Sequence, residues 1–282
     1  MTLICILLGI LLDRTSHILE QRRNFDWFDQ YTHWLSGKLP GLLSQNPSSI
    51  IILLLPVMLL VALIQGWINT QLYGLLDAIF GLSIFAFCLG PLELNRLVNS
   101  YLQAREQGDE QTARENACAI MIGEASADPD QQTIEIIRGI LHSANDRFFA
   151  VIFWFVLLGP FGALLYRLSS HTQYTNSNAT LAKAARRLQA IMAWAPAHLA
   201  AMSYALTGNY EGARLEFFKK NKQDDLADCN YHTLITAGQG ALKACDPGAE
   251  ATCIHSAQAL VQRSLIVWLA IISTLTLIGW MA

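Results

Sequence analysis

The sequence predicts an all-α, polytopic integral membrane protein, a helical bundle of about four spans with helical polar segments between them. Of its 282 residues, 53% are hydrophobic and only 15% are charged, whereas soluble domains carry about 25% charged residues. Four long apolar runs punctuate the chain, and a run of about 18 residues crosses a hydrocarbon core of about 30 Å as a helix. No stretch combines a period-two alternation of apolar and polar residues with enrichment in β-branched residues, so the sequence does not predict a sheet.

The apolar runs and the stretches between them divide the chain into segments of one predicted membrane domain, residues 1–282. In order, these are an N-terminal helical segment (1–48), a two-span hairpin (49–92), a helical polar segment (93–147), a third hydrophobic run (148–168), a second helical polar segment (169–263) and a C-terminal span (264–282).

The two-span hairpin joins the run Ile50–Ile64, which extends to Trp67, to the run Leu72–Leu92. The linker between them, residues 68–71, carries no charge, whereas both flanking polar segments carry arginines. By the positive-inside rule the linker is external and the flanking segments are cytoplasmic. We therefore expect a multi-pass membrane protein whose partner is the lipid bilayer.

The polar segments show the spacing and the breakers of short helices. Gln107-Gly108-Asp109 predicts a turn between two antiparallel helices, and Gly208-Asn209 predicts a second break. Asp128-Pro129-Asp130 predicts a helix start, because proline is favoured in the first turn.

The third run, Phe148–Tyr166, has no charge but contains Gly159-Pro160-Phe161-Gly162. We expect a single kinked span with Arg147 on the cytoplasmic side, because the run is long enough to cross. Two alternatives repair the distribution of basic residues: a re-entrant hairpin that turns at Gly159-Pro160, or a crossing by Leu188–Leu206. The side of the membrane on which 169–263 lies stays open.

Known chemical motifs are absent from the chain. Walker A, GxGxxG, GxSxG and HExxH patterns do not occur, and none of the six cysteines forms a C-x-x-C pair. The net charge of −3 provides no basic field for nucleic acid. The sequence therefore predicts no catalytic residue, no metal site, no cofactor and no nucleic-acid partner.

A polar cleft is the remaining candidate site, because ionisable groups at membrane depth are costly and usually functional or paired. Asp146 and Arg147 precede the third run, and Tyr166 and Arg167 end it. The other cleft candidates lie in the flanking segments and are Asp13, Arg14, Glu124, Arg187, Trp194 and His198. An enzyme would need two or three carboxylates near Asp146, and Asp13, Glu93 and Glu124 are the candidates for this role.

Three blocks of the sequence resemble the AmpE family of inner-membrane proteins linked with β-lactamase induction. They are MTLICILLGILLDR at the start, RFFAVIFWFVLLGPFGALLYRL at 147–168 and ARRLQAIMAWAPAHLAAMSYALTG at 185–208. The resemblance implies a non-enzymatic signalling modulator of the β-lactamase induction pathway, and so of the response to antibiotic. It also implies a peptidoglycan-recycling protein or a muropeptide as a partner.

The AmpE family is in turn similar to CbiB-type cobalamin biosynthesis membrane proteins, which join an aminopropanol unit to adenosylcobyric acid. Asp146 and the stretch 162–167 follow one CbiB-type block, and Trp194 with Pro196 follows another. However, Gln189-Ala190 replaces the acid pair of that second block. Such chemistry needs acids for metal ions and protons, so the resemblance implies a retained cleft rather than a retained activity. A membrane-bound amide synthetase or nucleotide-using enzyme remains the alternative, and a small transporter is the third reading.

Overall fold

A computed structural model describes residues 2–15, 25–38, 49–69, 75–121, 129–175, 178–217, 225–242 and 249–278. Every regular element within these ranges is helical, so the predicted all-α fold is confirmed. The helices are α1 (Thr2–Thr15), α2 (Asp26–Lys38), α3 (Ser49–Asn69), α4 (Leu75–Cys88), α5 (Pro91–Gln107), α6 (Glu110–Ile120), α7 (Pro129–Ala144), α8 (Ala150–Thr175), α9 (Ala179–Thr207), α10 (Tyr210–Phe217), α11 (Leu226–Ala241) and α12 (Glu250–Leu277), with a π-helical segment (Asn145–Phe149) between α7 and α8.

The chain divides into two compact units, each of which combines two stretches of sequence. The first unit contains Met1–Leu89 and Ala150–Ala193, and the second contains Gly90–Phe149 and Trp194–Trp280. The single domain expected from the sequence stays a prediction.

Helix α4 lies at the centre of the first unit and packs against α1, α3 and α8. Gly9 allows α1 to approach closely, because a Cβ at this position would lie 2.5 Å from Cδ1 of Phe85. The Phe85 ring in turn packs against Phe155, with the ring centroids 4.6 Å apart. Small residues at such contacts let helix backbones approach in membrane proteins.

The third apolar run turns back on itself inside α8. Gly159 has φ 64° and ψ −153°, which separates two helical arms. A Cβ at Gly162 would lie 2.6 Å from the carbonyl oxygen of Trp154, although residues eight apart on one helix are about 12 Å apart along its axis. The expected single kinked span is therefore wrong, and the re-entrant alternative describes residues 150–175.

The length of each arm follows from this turn. The arm from Ala150 to Leu158 rises about 14 Å, roughly half of a hydrocarbon core of about 30 Å. The indole Nε1 of Trp154 donates a hydrogen bond to the carbonyl oxygen of Met192 at 3.0 Å. This bond ties the first arm to α9 within the same unit.

Within the described residues, three helical stretches are long and apolar enough to cross a membrane by length and composition: Ser49–Ile68, Gln131–Tyr174 and Glu250–Leu277. The second of these contains the turn at Gly159. The second apolar run forms α4, whose 14 residues rise about 21 Å and end at Cys88, shortly before Pro91 begins α5. Residues 72–74 of this run lie outside the described ranges, so the full span stays a prediction.

Helix α7 lies at the centre of the second unit, where it packs against α5, α6, α11 and α12. The predicted turn after Gln107 is confirmed. Gly108 adopts left-handed φ 74°, and its N–H donates to the α5 carbonyl of Arg105, while the N–H of Asp109 donates to that of Ala104. Asp109 caps α6 by accepting a hydrogen bond from the N–H of Thr112 at 3.1 Å.

The other two predicted breaks in the polar segments also occur. Helix α7 starts at Pro129, and α9 ends at Thr207, just before Gly208. The N–H of Asn209 donates to the carbonyl of Ala241 at 2.8 Å, which holds the start of α10 against the end of α11.

Candidate functional site

The predicted pair Asp146 and Arg147 lies in the π-helical segment of the second unit. Single π turns within α-helices are rare and are frequently found at functional sites. Asp146 is 7% exposed and Arg147 is half-buried. A Cβ at Gly90 would lie 3.7 Å from three carbons of the Arg147 stem, so the glycine leaves room for this arginine.

A buried phenol explains where the π segment begins. The hydroxyl of Tyr204 donates to the carbonyl oxygen of Leu141 at 3.1 Å. In an α-helix this carbonyl would accept from the N–H of Asn145, four residues on, and an inserted side chain is a known cause of such breaks. Tyr204 is fully buried, and the Phe149 ring packs against it at 6.0 Å.

Tyr204 was not among the residues predicted from the sequence. The signal was present, because a tyrosine within an alanine-rich apolar helix carries a hydroxyl that needs a partner once it is buried.

In the first unit, Tyr166 pairs with Gln189, which in the sequence is one of the departures from the CbiB-type pattern. Tyr166 is fully buried and Gln189 is 7% exposed. The Nε2 of Gln189 donates to the hydroxyl of Tyr166 at 3.2 Å. Both side chains are neutral, so the position that holds an acid in the CbiB-type block here supplies an amide.

Arg167 belongs to a second group in the first unit, which we call the aromatic–histidine cluster (Phe25, Asp29, Arg167 and His171). The guanidinium carbon of Arg167 lies 5.6 Å from the centroid of the Phe25 ring, a distance typical of a cation–π contact. The imidazole of His171 stacks on Phe25 at 4.6 Å, and its Nε2 lies 2.9 Å from Oδ1 of Asp29.

Sequence reasoning missed His171, Asp29 and Phe25. His171 follows Arg167 by four residues, which places both on one helix face, and this spacing was a usable signal. Asp29 and Phe25 lie more than 140 residues away along the chain, and no local pattern connects them to His171.

Three further cleft candidates, Arg187, Trp194 and His198, lie on α9. Trp194 is 52% exposed, and its ring centroid lies 4.9 Å from that of His198. The Nδ1 of His198 lies 2.8 Å from the carbonyl oxygen of Trp194, which makes this pair local to one helix turn. Arg187 is exposed, as is Arg186.

Three candidates fall outside the described part of the structure. Asp13 and Arg14 lie in α1, but their side chains are not among those described, and Glu124 lies between two described ranges. Among the side chains that are described, no three His, Cys, Asp or Glu residues come together to hold a metal ion.

A comparison with protein families identifies the chain. The family model for regulatory signalling modulator protein AmpE matches residues 1–282. The chain belongs to the AmpE family. The match covers the whole sequence, so the predicted resemblance is confirmed.

Two relatives of this AmpE-family chain are named cobalamin biosynthesis protein CobD. The protein from Chromobacterium violaceum is 29% identical over 153 residues, which cover 52% of this chain and 48% of the relative. The protein from Stutzerimonas stutzeri is 27% identical over 224 residues, which cover 77% of this chain and 70% of the relative. The chain thus spans about half of the first relative, and no solved structure gives a significant match.

Proposed function

We propose that this AmpE-family protein is a non-enzymatic regulatory protein of the bacterial inner membrane that modulates the induction of β-lactamase and so the response to antibiotic. The observation that carries the proposal is the family match over residues 1–282. The apolar helices Ser49–Ile68 and Glu250–Leu277 are long enough to cross a bilayer, which supports the membrane location. The proposed partner is a peptidoglycan-recycling protein or a muropeptide.

The buried pair in the first unit supports a regulatory function over amide synthesis. Gln189 donates to Tyr166 at 3.2 Å in a place where proton transfer would require an acid or a base. Neither a carboxamide nor an ordinary phenol supplies a charge for binding a metal ion at neutral pH. A CbiB-like fold with this neutral pair is consistent with a protein that has kept the fold without the amide-forming activity.

A second candidate function is a membrane-bound amide synthetase related to the CbiB type. The two CobD relatives and the buried Asp146 in a π turn favour it. π turns are frequently found at functional sites, and a carboxylate can serve as a general acid or base.

One experiment with two arms separates the candidates. In the first arm, a Gram-negative host with an inducible β-lactamase loses its own homologue and receives this chain, and hydrolysis of a chromogenic cephalosporin is measured after a sublethal inducer. We expect the deletion to change the induced activity and the chain to restore it. Equal induction in all three strains would contradict the regulatory proposal.

In the second arm, a host that lacks its CobD receives the same chain and is grown where cobalamin synthesis is required. We expect no growth. Growth that is lost with Asp146→Asn but kept with Asp109→Asn would establish the synthetase instead. The two variants are matched, because both exchange an aspartate of the second unit for asparagine, and Asn still caps a helix at position 109.

A further inference from the structure

One face of α7, continued by the first residue of the π-helical segment, carries polar side chains that the proposed function does not use. Glu135, Arg138, His142 and Asn145 follow one another at spacings of three, four and three residues, which places them along a single helix face. We call this row the α7 stripe. Its first three members are half-buried, and Asn145 is 2% exposed.

Two atoms of the α7 stripe are buried without a hydrogen-bond partner in the described part of the chain. They are Oδ1 of Asn145 and Nε of Arg138. An unsatisfied buried polar atom costs about 1–3 kcal/mol, and native structures keep few of them. The pair therefore indicates a place where a ligand supplies what the protein does not.

Helix α11 forms the second wall of this place. The ring of Tyr231 lies 5.2 Å from that of His142, centroid to centroid. A Cβ at Gly238 would lie 2.6 Å from Cδ1 of Leu141, so the two helices are closely packed. Tyr231 is half-buried, and its phenol lies beside the stripe.

The two orphaned atoms specify the chemistry of the ligand. The Nε–H of Arg138 requires an acceptor, and guanidinium groups bind carboxylates particularly well. The Oδ1 of Asn145 requires a donor, which a sulfate or a fully ionised phosphate ester does not offer. Glu135, one turn before Arg138, accepts a hydrogen bond from Gln131 at 3.2 Å.

The spacing between the orphaned atoms sets the size of the ligand. Arg138 and Asn145 are seven residues apart, or about 10 Å along the helix. An extended peptide of three residues covers about 10 Å. Such a peptide carries both a terminal carboxylate for Arg138 and backbone N–H groups for Asn145.

We propose that the α7 stripe and Tyr231 bind a short peptide, with its terminal carboxylate on Arg138 and a backbone N–H on Oδ1 of Asn145. The inference rests on the proposed regulatory function, because it gives that function a ligand class. Binding to the purified protein and induction in the cell are separate measurements, so either can fail alone.

The test uses the purified full-length chain in lipid nanodiscs and two probes, N-acetyl-trialanine and its C-terminal amide. We expect the acid to bind saturably in calorimetry. The Kd of the amide should be at least about tenfold higher than that of the acid, because the lost hydrogen bond to a charged group corresponds to about that factor. Arg138→Gln should bind the acid about tenfold more weakly than the unaltered chain does. This variant should no longer prefer the acid over the amide. Arg138→Lys keeps the charge and serves as the second variant if Arg138→Gln does not fold.

Arg114→Gln is the matched control, because Arg114 is an exposed arginine of α6 in the same unit. It should bind the acid like the unaltered chain. Three results would each overturn the proposal. They are equal affinity for acid and amide, an equal loss of affinity for the acid in Arg138→Gln and Arg114→Gln, and no saturable binding. Binding of inorganic phosphate that depends on Arg138, without binding of the peptide, would assign the site to a simple anion and also overturn it.

Discussion

The turn at Gly159 can be tested by giving this residue a side chain. A Cβ at Gly159 would have only one neighbour within 4 Å, the Nε2 of Gln65 at 3.9 Å. The space is therefore sufficient, and the backbone is the obstacle. Its φ of 64° and ψ of −153° lie in a region that residues other than glycine almost never adopt.

The expected cost of Gly159→Ala follows from this backbone strain. A residue held in such a region costs about 1–3 kcal/mol. For a large domain, 1 kcal/mol shifts the melting temperature by about 2–4 °C, so we expect a decrease of roughly 2–12 °C. Gly162→Ala should have a similar effect by crowding, since its Cβ would lie 2.6 Å from the Trp154 carbonyl oxygen and overpacking costs about 1–3 kcal/mol.

Thermal unfolding of the detergent-solubilised chain, followed by tryptophan fluorescence, measures this effect. Gly66→Ala is the control, because Gly66 lies in α3 with no atom within 4 Å of its Cβ position. Alanine is the better helix former by up to about 1 kcal/mol, so this variant should melt at the same or a higher temperature. If Gly159→Ala has the same melting temperature as Gly66→Ala, the folded chain does not require the glycine conformation at position 159, and the prediction is refuted.

Three further predictions concern the second unit. Burial and the hydrogen bond to Glu250 raise the pKa of Tyr101. The stability that the protonated phenol contributes is therefore fully present below the unfolded pKa of about 10, and it is lost as the pH rises above that value. Tyr101→Phe should therefore show a smaller decrease in melting temperature between pH 9 and 11 than the unaltered chain. Asp109→Ala should lower the melting temperature at pH 7 and Asp109→Asn should not, because Asn still accepts from the N–H of Thr112. Hydrogen bonds from the side chain and the backbone N–H of Thr112 lower the pKa of Asp109, so the melting-temperature deficit of Asp109→Ala should shrink as the pH falls below about 4. Gly139→Ala should lower the melting temperature by roughly 2–12 °C, because its Cβ would collide with the carbonyl oxygen of Ile120, the last residue of α6. An unchanged melting temperature would contradict the close packing of α6 and α7.

The helix boundaries of the polar segments were predictable because their causes are local. Gly108 allows the left-handed turn after α5, Asp109 caps the next helix, and Pro129 begins α7. Each of these residues acts on atoms within a few positions of itself. A single sequence contains all of that information, and the family resemblance likewise depended on contiguous blocks.

The path of the third apolar run depended on tertiary packing. An uncharged run with Gly159 and Pro160 has the same composition whether its helix is kinked or folded back. The choice depends on whether the Trp154 backbone can meet Gly162 and whether α9 offers the Met192 carbonyl to the indole. These partners decide the outcome, and composition does not contain them.

The candidate sites divide in the same way. The sequence located Asp146 and Arg147 because charges beside an apolar run stand out in any hydropathy pattern. It did not find the contact between Tyr204 and Leu141, 63 residues apart, or the contact between His171 and Asp29, 142 residues apart. A buried hydroxyl or imidazole must find a partner somewhere, but only the folded chain determines which one, because the partner is chosen by proximity in space and not by position along the sequence.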